Sequence, residues 1–261
     1  EIIMKIKVLS DLHCEFSYFD LAGDKNTTLI LAGDIFVGTK ALREGYIPKW
    51  ASEFKYVLYV LGNHEYYKHN IDTLPRKIKD RIKELKLDNV YLLDDEVVEL
   101  DGVQFAGTTL WTDLNSGDPM TKLVVQSSMN DFRQIRVGSN YRKFNLADWL
   151  ALHTGAMYFL NSIDYTKPTV VITHHAPHVA GVDTERYGNY DNKLNHAYYT
   201  DLSEFIAEKQ PLMWVFGHTH KRTQFMIGDT TVYSNPRGYV SDKFNYETTG
   251  FDPTEVICIG E

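Results

Sequence analysis

The stretch YVLYVLGNHE, residues 56–65, runs six apolar or aromatic residues directly into Gly-Asn-His-Glu. A short continuous run of this kind, rich in Val and Tyr, is expected as a strand buried on both faces. Gly62 then permits a tight turn. Asn63, His64 and Glu65 stand beyond the carboxyl end of the strand, which is where sheets in α/β proteins bind ligands. Four other apolar runs end in the same way. MKIKVLS (4–10) leads to Asp11 and His13, TTLILAG (27–33) to Asp34, PTVVIT (168–173) to His174 and His175, and LMWVFG (212–217) to His218 and His220. A small residue (Ser10, Gly33, Gly62, Thr173 or Gly217) precedes each polar group.

One Asp after a strand is ordinarily a helix cap or a turn residue, and one His there is ordinarily a hydrogen-bonded structural residue. The same chemistry at corresponding ends of five strands makes coincidence a poor account. Oxygen and nitrogen donors without a thiolate suit Mn, Fe, Zn, Co or Ni rather than Ca or an iron–sulfur cluster. The donors exceed the needs of one ion. A pair of divalent transition-metal ions about 3.5–4 Å apart, bridged by one carboxylate, is therefore expected.

The segments between these runs complete the outline. Residues 39–54 have helical spacing, interrupted near Pro48, and 71–86 form an amphipathic helix with Ile78, Ile82 and Leu85 on one face. Residues 90–110 read as short strands with a hairpin turn at Asp101-Gly102. Residues 111–165 change character: one helix through Met129 and a longer one over 145–162 suggest an insertion covering one side of the sheet. Strands resume at 224–228, 230–235 and 255–260. The expected class is α/β, with layers around a mixed sheet.

At 261 residues and 43% hydrophobic, the chain can bury a large core. Its formal net charge of -8 argues against a broad nucleic-acid footprint, but not against a phosphate substrate held through metal ions. The two cysteines, Cys14 and Cys258, match no zinc spacing and fit a reducing, cytoplasmic setting. No apolar run is long enough for a membrane span, Met4 reads as a natural start, and no signal peptide is evident.

The motifs DLH, GD, GNHE, HHAP and GHTH, in that order, resemble those of the calcineurin-like metallophosphoesterases, from Met4 to about Tyr239. The resemblance implies a four-layered α/β fold, two mixed β-sheets in a sandwich flanked by helices. It implies a dinuclear metal centre, and with the change of character over 111–165 a single domain over 4–261 with a helical insertion at about 111–165 is expected. Carried over motif by motif, one metal takes Asp11, His13, Asp34 and His220. The second takes Asp34, Asn63, His174 and His218, so that Asp34 bridges. His64 corresponds to the catalytic histidine, which binds no metal. One departure is GDIFVG (33–38), where Val37 replaces the second Asp of the family's frequent Gly-Asp-x-x-Asp. It leaves the support around the site and the substrate class open.

A water bridging two such ions gives hydroxide near neutral pH, which would attack phosphorus in line with the leaving oxygen. His64 is placed to protonate that oxygen or hold the phosphate. Glu65 is expected to orient its surroundings, and His175 to line the pocket or support a ligand. Arg237, in SNPRGY (234–239), would aim a guanidinium at phosphate or form a surface ion pair. Cys14, beside His13, is expected to be a small, partly buried side chain whose thiol makes the enzyme oxidation-sensitive. The expected function is a phosphodiesterase on a small or nucleotide-like substrate, with the tyrosine-rich stretch 187–199 and the 111–165 segment as a pocket rim. The alternatives are a phosphomonoesterase or protein phosphatase, a nuclease with a basic track, and a non-catalytic scaffold.

Overall fold

The computed structural model describes residues 4–183, 192–240 and 248–260. Its strands are β1 (Met4–Leu9), β2 (Thr27–Ala32), β3 (Tyr56–Val60), β4 (Val90–Leu92), β5 (Glu96–Leu100), β6 (Val103–Thr108), β7 (Arg136–Val137), β8 (Arg142–Lys143), β9 (Thr169–Thr173), β10 (Met213–Phe216), β11 (Thr223–Ile227), β12 (Thr230–Ser234) and β13 (Ile257–Ile259). One sheet has the order β13-β1-β2-β3-β4 and the other β11-β12-β10-β9-β6-β5. Both are mixed. β1, β2, β3 and β4 run parallel with β13 antiparallel at the edge. In the second sheet β12, β10, β9 and β6 run parallel between antiparallel β11 and β5.

Side chains alternate across each strand and sort into layers. Ile6, Val8, Ile30, Ala32, Leu58 and Val60 of the first sheet meet Phe105, Val170, Ile172, Met213 and Val215 of the second in one buried cluster. The alternate residues Leu29, Leu31, Val57 and Tyr59 face outward into a second cluster with the helices over Tyr46–Glu53 and Leu74–Glu84. Val171, Trp214 and Phe216 face the opposite way, onto Ala156 and Leu160 of the helix Leu146–Asn161 and Ile206 of the helix Ser203–Lys209. The result is helices, sheet, sheet, helices. The parallel strands carrying the polar motifs thus present their carboxyl ends at one end of the sandwich.

Local chemistry explains the boundaries. The expected 39–54 helix is two pieces, Lys40–Arg43 and Tyr46–Glu53, and the break lies at Gly45 (φ 88) rather than at Pro48. Pro48 falls in the first turn of the second piece, where a backbone N–H has no intrahelical acceptor and its loss costs little. The β5–β6 hairpin turns at Asp101 (φ 50) and Gly102 (φ 82), both left-handed as a two-residue primed turn requires. Within 111–165, the helix Leu146–Asn161 begins at a capping box, in which Asn145 accepts from the backbone of Asp148 and Asp148 accepts from that of Asn145. Trp111, Phe132 and Phe144 pack around Trp149 and join the outer cluster of the first sheet, while Ala156 and Leu160 cover the second. The small β7–β8 hairpin and the helix Ser203–Lys209 had no counterpart in the sequence reading. No described helix is long and apolar enough to cross a membrane.

Phe105 is fully buried between the sheets. Phe105→Ala is expected to destabilise the fold by about 3–5 kcal/mol, seen as a lower urea midpoint with an unchanged slope.

Candidate metal centre

Sharp backbone bends bring the strand ends together. Asp11 (φ 50), His13 (φ 45), Asp34 (φ 57), His218 (φ 69) and His220 (φ 50) all adopt the left-handed region. That region costs a non-glycine residue about 1–3 kcal/mol, and Asp and His enter it more readily than most. Bends at both His218 and His220 explain how two histidines one residue apart reach a common centre. Gly33 must also be small: at φ 86, a Cβ there would fall 2.3 Å from His174 Nδ1. A Cβ on Gly62 would fall 2.2 Å from Asp34 Oδ1.

The bends assemble two buried groups, Asp11–His13–His220 and Asp34–His174–His218, within each of which the donor atoms lie within 4.8 Å of one another. His13 Nε2 is 3.2 Å from His220 Nε2, which is 3.3 Å from Asp11 Oδ1. Asp34 Oδ2 stands 3.8 Å from His13 Nε2 and 3.4 Å from His174 Nε2, so it touches both groups. Asn63 Oδ1 lies 3.1 Å from His174 Nε2. The donors are themselves held from behind. Asp11 accepts the His218 N–H with both oxygens at 3.0 Å, and Asp34 Oδ1 accepts the His64 N–H at 2.8 Å. His174 Nδ1 donates to the Ala32 carbonyl at 2.9 Å, which leaves Nε2 facing the centre. The expected ligand residues are thus brought to one place.

This donor set fits divalent ions. His218 Nε2 is buried without a hydrogen-bond partner among the described residues. Burial, reinforced by His175 and His174, holds His218 well below the ordinary histidine range, so its ring is neutral and carries a free lone pair. His13 and His220 aim their Nε2 atoms at each other, an arrangement a shared cation would satisfy. Burial opposes charge on His174, yet the Asp34 carboxylate outweighs it and pushes the group up to about 10.

Groups beside the donors complete the site. Glu65 is fully buried, accepts from the backbone N–H of Asp34, Ile35 and Gly62, and receives the Tyr59 hydroxyl. It fixes the turns that carry Asp34 and Asn63. His64 stacks on Tyr67 at 4.3 Å, and its Nε2 lies 3.3 Å from the Tyr239 hydroxyl. Tyr67 links Asn63 to Asp131, at 3.3 and 3.2 Å, so the 111–165 segment reaches back to the centre. Burial lowers His64, but Asp34 and Glu15 outweigh it and hold the group above the ordinary range. Glu15, Tyr67, Tyr239 and Asp131 were missed in the sequence. Only Glu15, an acid two residues after His13 in a chain lacking an acid at 37, left a usable signal there.

Other expected residues take different places. His175 is fully buried and stacks on Trp111 at 5.2 Å. Its Nδ1 donates to the Thr109 carbonyl, its ring lies 4.4 Å from His218, and burial and His174 push it down to about 3. It therefore supports His218 as a neutral ring. Arg237 donates to the carbonyls of Leu12, Ser17 and Tyr18 and to the Ser17 hydroxyl, and lies over the Phe19 ring. Those donors secure the loop after His13. Cys14 is buried, in line with the small buried side chain expected there, and burial pushes its thiol up to about 12, which weighs against oxidation sensitivity. Of the tyrosine-rich stretch, 187–191 lies outside the described residues, while Tyr198 sets its ring 4.9 Å from His218.

At pH 7 a His174 held near 10 carries a proton that a metal must displace. Metal binding to the apoprotein is expected to release protons and to tighten as pH rises. Calorimetry in buffers of different ionisation enthalpy measures this; proton-independent binding contradicts it.

The calcineurin-like phosphoesterase family profile matches residues 4–222. Protein L509 of Acanthamoeba polyphaga mimivirus is 29% identical over 98% of this chain and 97% of its own length. The phosphopantetheinyl hydrolase of Mycobacterium tuberculosis shares the fold, with a TM-score of 0.66 at 16% identity, over 91% of this chain and 90% of its own. The profile match spans most of the sequence and contains the five strand ends that carry the donors, and on that ground the chain belongs to the calcineurin-like phosphoesterase family and is a metal-dependent phosphoric ester hydrolase.

Proposed function

We propose that this chain hydrolyses a phosphodiester bond in a small or nucleotide-like substrate. Two divalent transition ions (Mn, Fe, Zn, Ni or Co) would be held by Asp11, His13, Asp34 and His220 and by Asp34, Asn63, His174 and His218. The observation that carries the reading is the Asp34 carboxylate touching both donor groups while fixing the backbone of His64. When bound, such ions supply an activated water and positive charge for the phosphoryl oxygens.

The chain's own residues supply the rest. The stack on Tyr67 and the contact with Tyr239 fix the His64 ring, and Nε2 is the atom placed to give its proton to the leaving oxygen as the bond to phosphorus breaks. His175 and Arg237 contribute by holding His218 and the loop after His13. A small diester fits the acidic chain, and Tyr198 beside His218 offers a face on which a flat group could stack. We further propose one domain over 4–261, with 111–165 as an insertion, acting in the cytoplasm and without extended nucleic acid as partner.

Hydrolysis of bis(p-nitrophenyl) phosphate and p-nitrophenyl phosphate by protein loaded with Mn, Ni or Zn tests the reading. The expected result is metal-dependent turnover of the diester, abolished in Asp34→Asn and slowed at least about 10-fold in His64→Ala. Turnover of the monoester alone would assign a phosphatase, and turnover of neither by protein holding two ions would leave an enzyme that demands a specific substrate or a non-catalytic scaffold.

A further inference from the structure

Glu15 sets one carboxylate oxygen against both a metal-side histidine and the proton donor. Its Oε1 lies 3.1 Å from His13 Nδ1 and 3.1 Å from His64 Nδ1. The carboxylate is 11% exposed, and its Oε2 is buried without a hydrogen-bond partner among the described residues. The two rings meet edge to face, 4.6 Å apart at 70°. Chain position makes this contact possible. His13 bends at φ 45, and the Arg237 guanidinium ties down the backbone from Leu12 to Tyr18, so Glu15 is folded back beneath both rings. The acid often present three residues after the bridging Asp is absent, since position 37 is Val.

A carboxylate only accepts hydrogen bonds, so an oxygen between two Nδ1 atoms requires both to be N–H donors. In each neutral ring the lone pair then lies on Nε2, and in His64 that atom must first take up the proton it gives to the leaving oxygen. For His13 that atom faces His220 and Asp34 in the donor cluster, and for His64 it faces the Tyr239 hydroxyl. We propose that Glu15 is a positioning residue that sets the tautomer and orientation of both rings with one oxygen, coupling metal capture at His13 to proton donation at His64. This rests on the placement of those two histidines in the preceding section. A carboxylate behind a metal-bound imidazole typically changes affinity or activity by about 10–100-fold.

Glu15→Gln keeps the shape but cannot accept from both rings with one anionic oxygen. Titration of apoprotein with Mn or Zn is expected to show affinity at one site weakened by about 10–100-fold. Hydrolysis of aryl phosphodiesters across a range of leaving-group pKa is expected to show a loss that grows as the leaving group worsens. With both sites saturated by metal, the Glu15→Gln/His64→Ala double variant should turn over no more slowly than His64→Ala alone. Wild-type affinity at both sites with a loss independent of the leaving group would overturn the proposal. Should the variant fail to fold, 15N NMR of histidine-labelled wild-type apoprotein decides: His13 and His64 should both carry hydrogen on Nδ1, and a neutral Nε2–H tautomer in either would refute it. The NMR and metal-binding readings need no turnover, so an absence of diesterase activity would remove the proposed function while leaving the Glu15 contact separately tested.

Discussion

The Asp34 carboxylate is the contact on which the arrangement depends. It is buried at the end of β2, in the first sheet, yet it touches His174 from the end of β9 in the second. One oxygen lies against histidines of both donor groups, and the other accepts the backbone N–H of His64. Its own backbone is clamped: its N–H donates to Glu65, and its carbonyl accepts the N–H of His13. A buried carboxylate without compensation is costly. Burial raises the group, and His174, His64 and His13 more than reverse that, so Asp34 stays ionised. The anion that would bridge two ions also pins the two sheets together at their carboxyl ends.

The left-handed bends at Asp11, His13, Asp34, His218 and His220 give this end of the sandwich an energetic character of its own. Each costs about 1–3 kcal/mol and would relax if nothing held it. The sheets beneath hold them: each donor-bearing strand is paired to its last residue in a parallel ladder, and the apolar cluster between the sheets fixes how far apart the strand ends stand. Glu65, Asp11 and the Ala32 carbonyl then consume the backbone and ring N–H groups that the bends expose. The site is thus preorganised, and metal binding need only displace a proton rather than reshape the chain.

The strand ends were legible in the sequence because a buried strand and its carboxyl terminus leave a local trace, an apolar run closing on a small residue and then on Asp, Asn or His. The hairpin at Asp101-Gly102 and the capped helix after Asn145 were legible for the same reason, since their chemistry lies within a few residues. What was not legible depends on distance through space. Tyr239 meets His64 across 175 positions, and Asp131 meets Tyr67 across 64. Arg237 stayed open between a phosphate contact and a surface ion pair because the sequence shows its charge but not the carbonyls of Leu12, Ser17 and Tyr18 that accept from it. The oxidation sensitivity suggested for Cys14 came from its sequence neighbours, whereas the depth of its burial is set by the fold. Gly45 rather than Pro48 broke the first helical stretch because a proline's effect depends on its position within the turn.

The most direct measurement is metal stoichiometry after equilibrium dialysis of wild-type protein beside Asp34→Asn, Asp11→Asn and Asn63→Ala. Two donor groups joined through one carboxylate require two ions in the wild type, weakening of both sites in Asp34→Asn, and weakening of mainly one in each of the other variants. Retention of two tightly bound ions by Asp34→Asn, or a single ion in the wild type, would contradict the shared carboxylate and with it the dinuclear centre.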